Sequence, residues 1–305
     1  MRIKEVINAG ISAMKTVGKV GFLKAETGKW EIVSEIFKIE KTKNGLTTAQ
    51  GMCIDTDDND AIYTTQIGGG LCSLFKNGKV VKTAFKNGSS YVEVSSVLEH
   101  ANDLAYYNNH LYVASYDSDK IYRMRRYHGA YTYEKAYTLD DNSKAWNIAA
   151  YKRAVIDGSD KQLFVVGTSG SNKKFLSFKI AYFRNTDNKF ITVGNFTVEN
   201  PNRDITSPAK PNILQGITYK SDTNYLQICL SNEDQQGNII IEVKLNMITG
   251  NESYLKKNEV IRTFYVSGKE KFEIESIAVD SNSKYYVLVN EKGARDPVYA
   301  IEIVY

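Results

Sequence analysis

An all-β fold of radially repeated sheets, a β-propeller, is what this sequence of 305 residues predicts, and three observations predict it. The first is a short phrase that occurs five times: a polar or aromatic residue, a small or polar one, then an aliphatic that opens a strand. The copies are Gln50-Gly51-Met52-Cys53-Ile54, Asn102-Asp103-Leu104-Ala105-Tyr106, Trp146-Asn147-Ile148-Ala149-Ala150, Gln215-Gly216-Ile217-Thr218-Tyr219 and Glu275-Ser276-Ile277-Ala278-Val279. The second is that each copy is followed, after a polar turn, by another β-rich run. Self-similarity at such a period marks a supersecondary module stacked on copies of itself. The third is that the last module runs out one strand short, as expected where one chain segment completes a sheet begun by another and so protects its edge.

The first full module reads as strands at 52–55, 61–66, 71–76 and 80–86, with Asn77-Gly78 as the hairpin signal between the last two. Asn-Gly suits a type I′ turn because both central residues need positive φ. The next modules read as strands at 103–107, 110–116, 120–127 and 131–138, then 147–152, 161–168, 173–183 and 189–198, then 216–220, 224–231, 238–245 and 259–266. The last, 276–305, holds three. The natural donor of its fourth strand is Trp30 to Phe37, which alternates well.

The expectation is one domain over 1–305: a closing strand and cap within 1–45, then five four-stranded blades starting near 51, 103, 147, 216 and 276. Six blades are the alternative, because Gly10-Ile11-Ser12-Ala13 echoes the phrase; residues 4–16 could instead form a capping helix. Proline usage marks the longest connection, since three of the four prolines fall within 199–214. Long connections of fixed shape often carry binding function, so that loop is a candidate protein contact.

Composition narrows the function classes. With 42% hydrophobic and 24% charged residues the chain can bury a large core. A formal net charge of +4, spread over turns, lacks the clustered basic face of a nucleic-acid binder; Arg123-Met124-Arg125-Arg126 is the one dense run. Three cysteines, Cys53, Cys72 and Cys229, lie in apolar runs without metal or disulfide spacing. The opening residues lack the organisation of a secretory signal and no apolar run reaches the ~20 residues of a membrane span. The expected location is cytoplasmic, or released or particle-associated without a signal peptide.

In a propeller the first strand of each blade lies nearest the axis, so the leading letters of the phrase converge on one channel mouth. That ring is Gln50, Asn102 with Asp103, Trp146 with Asn147, Gln215 and Glu275. The ends of the second strands add an outer ring that includes Tyr116, Glu233 and Glu291. Acids and amides around an axis suit a hydroxyl-rich or cationic ligand, whereas the structural alternative is a wet channel whose polar groups cap backbone. Trp146 and Tyr116 add faces on which a sugar ring stacks. For acid-base chemistry the available pairing is His100 with Glu275 or Asp103.

Two resemblances refine these expectations. The stretch from Asn102 to Ala114 resembles a blade of the gluconolactonase and regucalcin-like calcium propellers. That resemblance implies calcium held by Glu275, Asn102 and Asn147 and a hydrolase of the lactonase or phosphotriesterase kind; Gln215 departs from it by standing where an Asp is wanted. Gln50-Gly51, Gln215-Gly216, the 100–103 stretch and a composition rich in Lys, Asn and Tyr resemble the five-bladed Gln-Gly-repeat propellers of helveticin-like bacteriocins and phage tail proteins. That resemblance implies binding of a cell-wall carbohydrate. The leading expectation is a ligand-binding propeller that recognises a carbohydrate at the axial mouth, and the alternative is the calcium-dependent hydrolase.

Overall fold

A computed structural model describes residues 26–41, 47–74, 79–82, 84–87, 90–92, 97–98, 100–127, 130–168, 175–199, 213–231, 238–245, 260–267, 272–291 and 295–304. The echo at Gly10, the helix alternative over 4–16, the Asn77-Gly78 turn, Glu233 and nearly all of the 199–214 loop lie outside them. Among the described residues every regular element is a strand.

The strands fall into antiparallel sets of four. The first is β2 (Ala49–Asp55), β3 (Ala61–Gln66), β4 (Gly70–Leu74) and β5 (Val80–Lys82). Next come β8 (Ala101–Tyr107), β9 (His110–Ser115), β10 (Ile121–Tyr127) and β11 (Ala130–Leu139), then β12 (Asn147–Ile156), β13 (Ser159–Gly167), β14 (Phe175–Arg184) and β15 (Lys189–Glu199). The fourth set is β16 (Ile213–Lys220), β17 (Tyr225–Ser231), β18 (Ile239–Lys244) and β19 (Val260–Ser267). β20 (Phe272–Val279), β21 (Tyr285–Glu291) and β22 (Arg295–Val304) make the last, short of one strand. That strand is β1 (Glu26–Glu40), which runs antiparallel to β22 from Lys29↔Val304 to Glu40↔Arg295.

Each first strand packs against the first strands on either side, so β2, β8, β12, β16 and β20 close a ring about one axis. The result is an all-β, propeller-like architecture. Strands β2 and β3 are buried at every position, because a strand near the axis has a neighbouring sheet on both faces and needs no polar side. The core is accordingly divided among the seams between sheets. Tyr63, Leu71 and Val113 share one seam, Tyr112, Phe164 and Phe190 the next, Val165, Phe178 and Ile228 a third. Cys229, Ile240 and Val287 fill a fourth, and Phe37, Met52 and Leu288 the one beside the closing strand.

Outer strands also join neighbouring sheets edge to edge. β1 pairs in parallel with β19 through Glu26↔Arg262 to Glu31↔Ser267, and β11 with β15 through Thr138↔Lys189 and Leu139↔Phe190. One sequence expectation fails here. The run 80–86 reads as a single outer strand, yet only β5 stays with its own sheet. β6 (Ala84–Asn87) crosses to pair with β7 (Ser90–Val92) and, in parallel, with β11. Alternation alone does not tell a chain which sheet edge to join, and β11 takes β6 at Ala130 and Tyr131, short of the part of its edge that pairs with β15.

Candidate functional site at the axial mouth

Four of the five copies of the phrase form β-bulges, the exception being Trp146-Asn147-Ile148 in β12, which pairs in regular register. Pairing slips between Ala49 and Met52 in β2, Ala101 and Asp103 in β8, Leu214 and Ile217 in β16, and Ile274 and Ser276 in β20. A bulge takes one residue out of the ladder and re-aims its neighbours. The amides so released turn toward the axis, where Asp103 receives them. Its Oδ1 accepts from Leu104 N at 3.0 Å and from Ser276 Oγ at 3.3 Å. Its Oδ2 accepts from Ile148 N and Ile217 N, each at 3.2 Å. Met52 N donates in turn to Ser276 Oγ at 3.2 Å. One carboxylate and one hydroxyl therefore tie strands from all of the sheets together.

This geometry dictates the glycines of the phrase. A Cβ on Gly51 would lie 2.8 Å from Asp103 Cα, and one on Gly216 would lie 2.7 Å from Ser276 Cα. Neighbouring backbones approach too closely there for any side chain.

Asp103 was expected among the ligand-binding residues, but it is wholly buried beneath the mouth with both oxygens occupied. Burial pushes its pKa up, while the amides of Ile217, Ile148 and Leu104 and the Ser276 hydroxyl pull it down. Burial outweighs these donors, so the Asp103 pKa stands well above the usual carboxylate value.

Above this hub sit the leading letters. Asn102 Nδ2 donates to Trp146 O at 2.8 Å, and Asn147 Nδ2 donates to Gln215 O, so each amide ties its strand to the next one around the ring. Gln215 Nε2 donates to Ser231 Oγ at 3.0 Å and to Glu273 Oε1 at 2.7 Å. His100 Nε2 meets Gln50 Oε1 at 3.1 Å, and its Nδ1 lies 3.5 Å from the Asp117 carboxylate. His100 thus pairs with Gln50 and Asp117, and neither Glu275 nor Asp103 is its partner.

Beside it stands an aromatic group. Tyr116, 39% exposed, lies 5.0 Å from His100 and packs edge-on to half-buried Trp146 at 4.4 Å between ring centres. The opposite arc of the ring, from Gln215 round to Gln50, is acidic. Glu275 is buried next to Glu273 and Asp296; its pKa rises first through burial and then through repulsion from those two, opposed by a hydrogen bond from Asn290 and the charge of Lys41. Lys41 Nζ, in turn, bonds Asn290 Oδ1 and Glu291 O, each at 3.0 Å, and lies 2.9 Å from Asp296 Oδ1. Asp296 Oδ2 accepts from Ala49 N at 2.8 Å, locking the closing sheet to the first. Glu291 accepts from Tyr299 OH at 2.7 Å.

Sequence reasoning missed Glu273, Asp296, Lys41 and Ser276, while Ser231 belongs to the outer ring of second-strand ends. The signal for Glu273 was present, since it precedes Glu275 by two on one strand and shares its face. Lys41 and Asp296 carry no such mark, because they reach the mouth only through closure of the last sheet by β1.

A calcium ion on Glu275, Asn102 and Asn147 fits this arrangement poorly. Asn147 is fully buried; its Oδ1, which has no partner among the described residues, lies 2.9 Å from where a Cβ on Gly167 would stand, beside Leu214, in the seam between sheets. Among the described residues no group of three His, Cys, Asp or Glu side chains is placed to hold a metal.

No family model matches the sequence, and no curated protein matches it. Solved structures do match. A glutaminyl cyclase from Myxococcus xanthus is 9% identical with a TM-score of 0.51, covering 91% of this chain and 97% of its own. A putative oxidoreductase (glucose dehydrogenase) from Thermus thermophilus is 9% identical with a TM-score of 0.47, covering 90% of this chain and 100% of its own. An engineered GH43 glycoside hydrolase is also 9% identical, with a TM-score of 0.46 over 88% of this chain and 54% of its own. The glutaminyl cyclase is a β-propeller-like enzyme, and at such identity its likeness speaks to fold alone.

Proposed function

We propose that the chain is a single-domain, five-bladed propeller that binds a carbohydrate at its axial mouth. The observation that carries this reading is the pairing of two unlike walls around one opening. Tyr116 and Trp146, edge to face, offer an apolar surface for the face of a sugar ring. Gln50, Gln215, Glu273 and Glu275 supply acceptors and amide donors for its hydroxyls. Because these polar groups are already held by Ser231, His100 and Lys41, little order is lost when a ligand arrives. The Gln-Gly resemblance points to cell-wall glycans as the source of such a ligand.

Turnover of the bound glycan is the second reading, and one observation favours it. Glu275 holds its proton more firmly than an ordinary carboxylic acid and sits beside the carboxylate of Glu273, the kind of pair that serves general acid and base. No metal is needed in this version.

A glycan array followed by titration calorimetry tests the proposal. Wild-type protein is expected to bind, and Trp146→Ala to lose at least about tenfold in affinity, on the scale of one stacking contact. An array that stays blank, or affinity indifferent to both Trp146→Ala and Tyr116→Ala, overturns it. Release of new reducing ends by wild type but not by Glu275→Gln selects turnover over binding.

A further inference from the structure

On the arc of the mouth that runs from Gln215 to Glu291, the hydrogen-bond donors are already occupied inside the protein. Both N–H bonds of the Gln215 side chain are used, one on Ser231 Oγ at 3.0 Å and one on Glu273 Oε1 at 2.7 Å. The Ser231 hydroxyl donates to the same Glu273 oxygen at 2.8 Å. All three hydrogens of the Lys41 ammonium have takers, in Asn290 Oδ1, Glu291 O and Asp296 Oδ1. Asn290 gives its amide to Glu275, and the Tyr299 hydroxyl goes to Glu291 Oε1.

What the arc keeps for a ligand is acceptors. A carboxylate has room for about four hydrogen bonds and donates none, and an amide whose nitrogen is occupied offers only its oxygen. Glu273 takes both of its bonds on Oε1 and Glu291 takes its one on Oε1, so among the described residues each has its second oxygen to offer. Both side chains are half-buried and keep surface that a ligand can touch. Gln50 is the exception at the end of the arc, since its Nε2 has only a long bond of 3.4 Å to Ala49 O. Charge points the same way. Lys41 is the one cation of the arc among the described residues, and it is matched by buried Asp296 at 2.9 Å, which leaves Glu273 and Glu291 without a counter-charge there.

Resting on the carbohydrate reading, we propose that the mouth selects its glycan by charge. It takes a sugar that brings hydrogen-bond donors, a neutral hexose or a hexosamine, and rejects glycans that carry uronate or phosphate. Glu273 is the specificity-determining residue: Oε1 fixes Gln215 and Ser231, and the second oxygen receives a hydroxyl or amine of the ligand. An anionic group in the same place meets like charge and no spare cation. Tyr116 and Trp146 stack on either kind of ring, so the discrimination belongs to the polar wall alone.

The test is an array printed with four sets of oligomers: neutral hexoses and N-acetylhexosamines, deacetylated hexosamines, uronates, and polyol phosphates. Affinities of the full chain for the best member of each set are then measured by titration calorimetry. The best neutral or hexosamine member is expected to bind at least about tenfold more tightly than any anionic one, the scale of one like-charge contact near a protein surface. Glu273→Gln removes the charge and keeps an oxygen for Gln215 and Ser231, and it is expected to narrow that gap at least about threefold. The gap in wild type is also expected to shrink as salt rises from about 20 mM to about 500 mM, because screening weakens repulsion between exposed charges. Anionic glycans as the tightest binders, or a gap that Glu273→Gln leaves unchanged, would overturn the charge filter while leaving the carbohydrate reading in place. A blank array removes that reading and the filter with it. Should Glu273→Gln fail to fold, a wild-type gap indifferent to salt overturns the filter by itself.

Discussion

Ser276 donates its hydroxyl to Asp103 across the axis, 3.3 Å away in space and 173 positions away in sequence. Neither residue is a ligand-facing group. Together they are the point at which strands from distant parts of the chain agree on where the axis lies.

Replacing Asp103 by Ala strands three backbone amides and a hydroxyl in a fully buried site. Each unsatisfied group costs ~1–3 kcal/mol, so the loss is expected to reach at least about 4 kcal/mol in urea unfolding. Asp103→Asn fares little better, since its amide turns a donor toward donors. Ser276→Ala, which leaves the carboxylate its three amides, is expected to cost about 1–2 kcal/mol. Equal effects for Asp103→Ala and Ser276→Ala would contradict the hub.

Gly51→Ala and Gly216→Ala should each destabilise by about 3 kcal/mol or prevent folding, because the added methyl meets backbone that cannot yield. Gly158→Ala is the control. That glycine has φ +72° but open space around it, so the expected cost is only the ~1 kcal/mol of a left-handed conformation. Thermal unfolding of the three variants, side by side, checks the ranking.

The pH dependence carries a sign. A carboxyl whose pKa is raised on folding, as at Glu275, contributes fully below its unfolded value, 4.5, and its contribution falls as pH rises toward the folded value. Glu275→Gln, which cannot ionise, is therefore expected to be more stable than wild type at pH 8 and to converge with it near pH 4. Parallel pH–stability curves for the two proteins would show that Glu275 is not held protonated.

Chelation is expected to leave the molecule unchanged. With Asn147 turned into a seam, the Glu275, Asn102 and Asn147 set brings a single carboxylate, short of the cage of charged oxygens that a hard cation needs. A melting temperature that moves by more than about 2 °C between EDTA and millimolar calcium would restore the metal reading.

Much of this was legible in the phrase. Periodicity announced the sheets, and the unfinished last module announced that Trp30 to Phe37 would complete it, as β1 does against β22. The leading letters were legible as a ring because polar residues rarely begin buried strands without a reason. What alternation could not reveal was the second letter. Gly51, Asp103, Gly216 and Ser276 look interchangeable as small or polar residues, yet two are there because backbones nearly touch and two because those backbones need an acceptor. That division appears only once the bulges have turned the amides inward. Glu273 was within reach of the same reasoning that found Glu275. Lys41 and Asp296 were not, since Lys41 precedes the first repeated unit and Asp296 lies on the third strand of the last, away from the phrase.

The closing strand has a mechanical meaning. β1 and β22 run antiparallel with Lys29 opposite Val304, so a pull applied at those two residues loads the ladder from one end and opens it rung by rung. The same β1 is held on its other edge by β19, parallel to it. A pull on Glu26 and Ser267 loads that edge lengthwise, stretching all of its bonds together. One strand thus peels from one neighbour and shears from the other, and a force spectrometer with handles at those positions would record a weak joint and a strong one in the same ring.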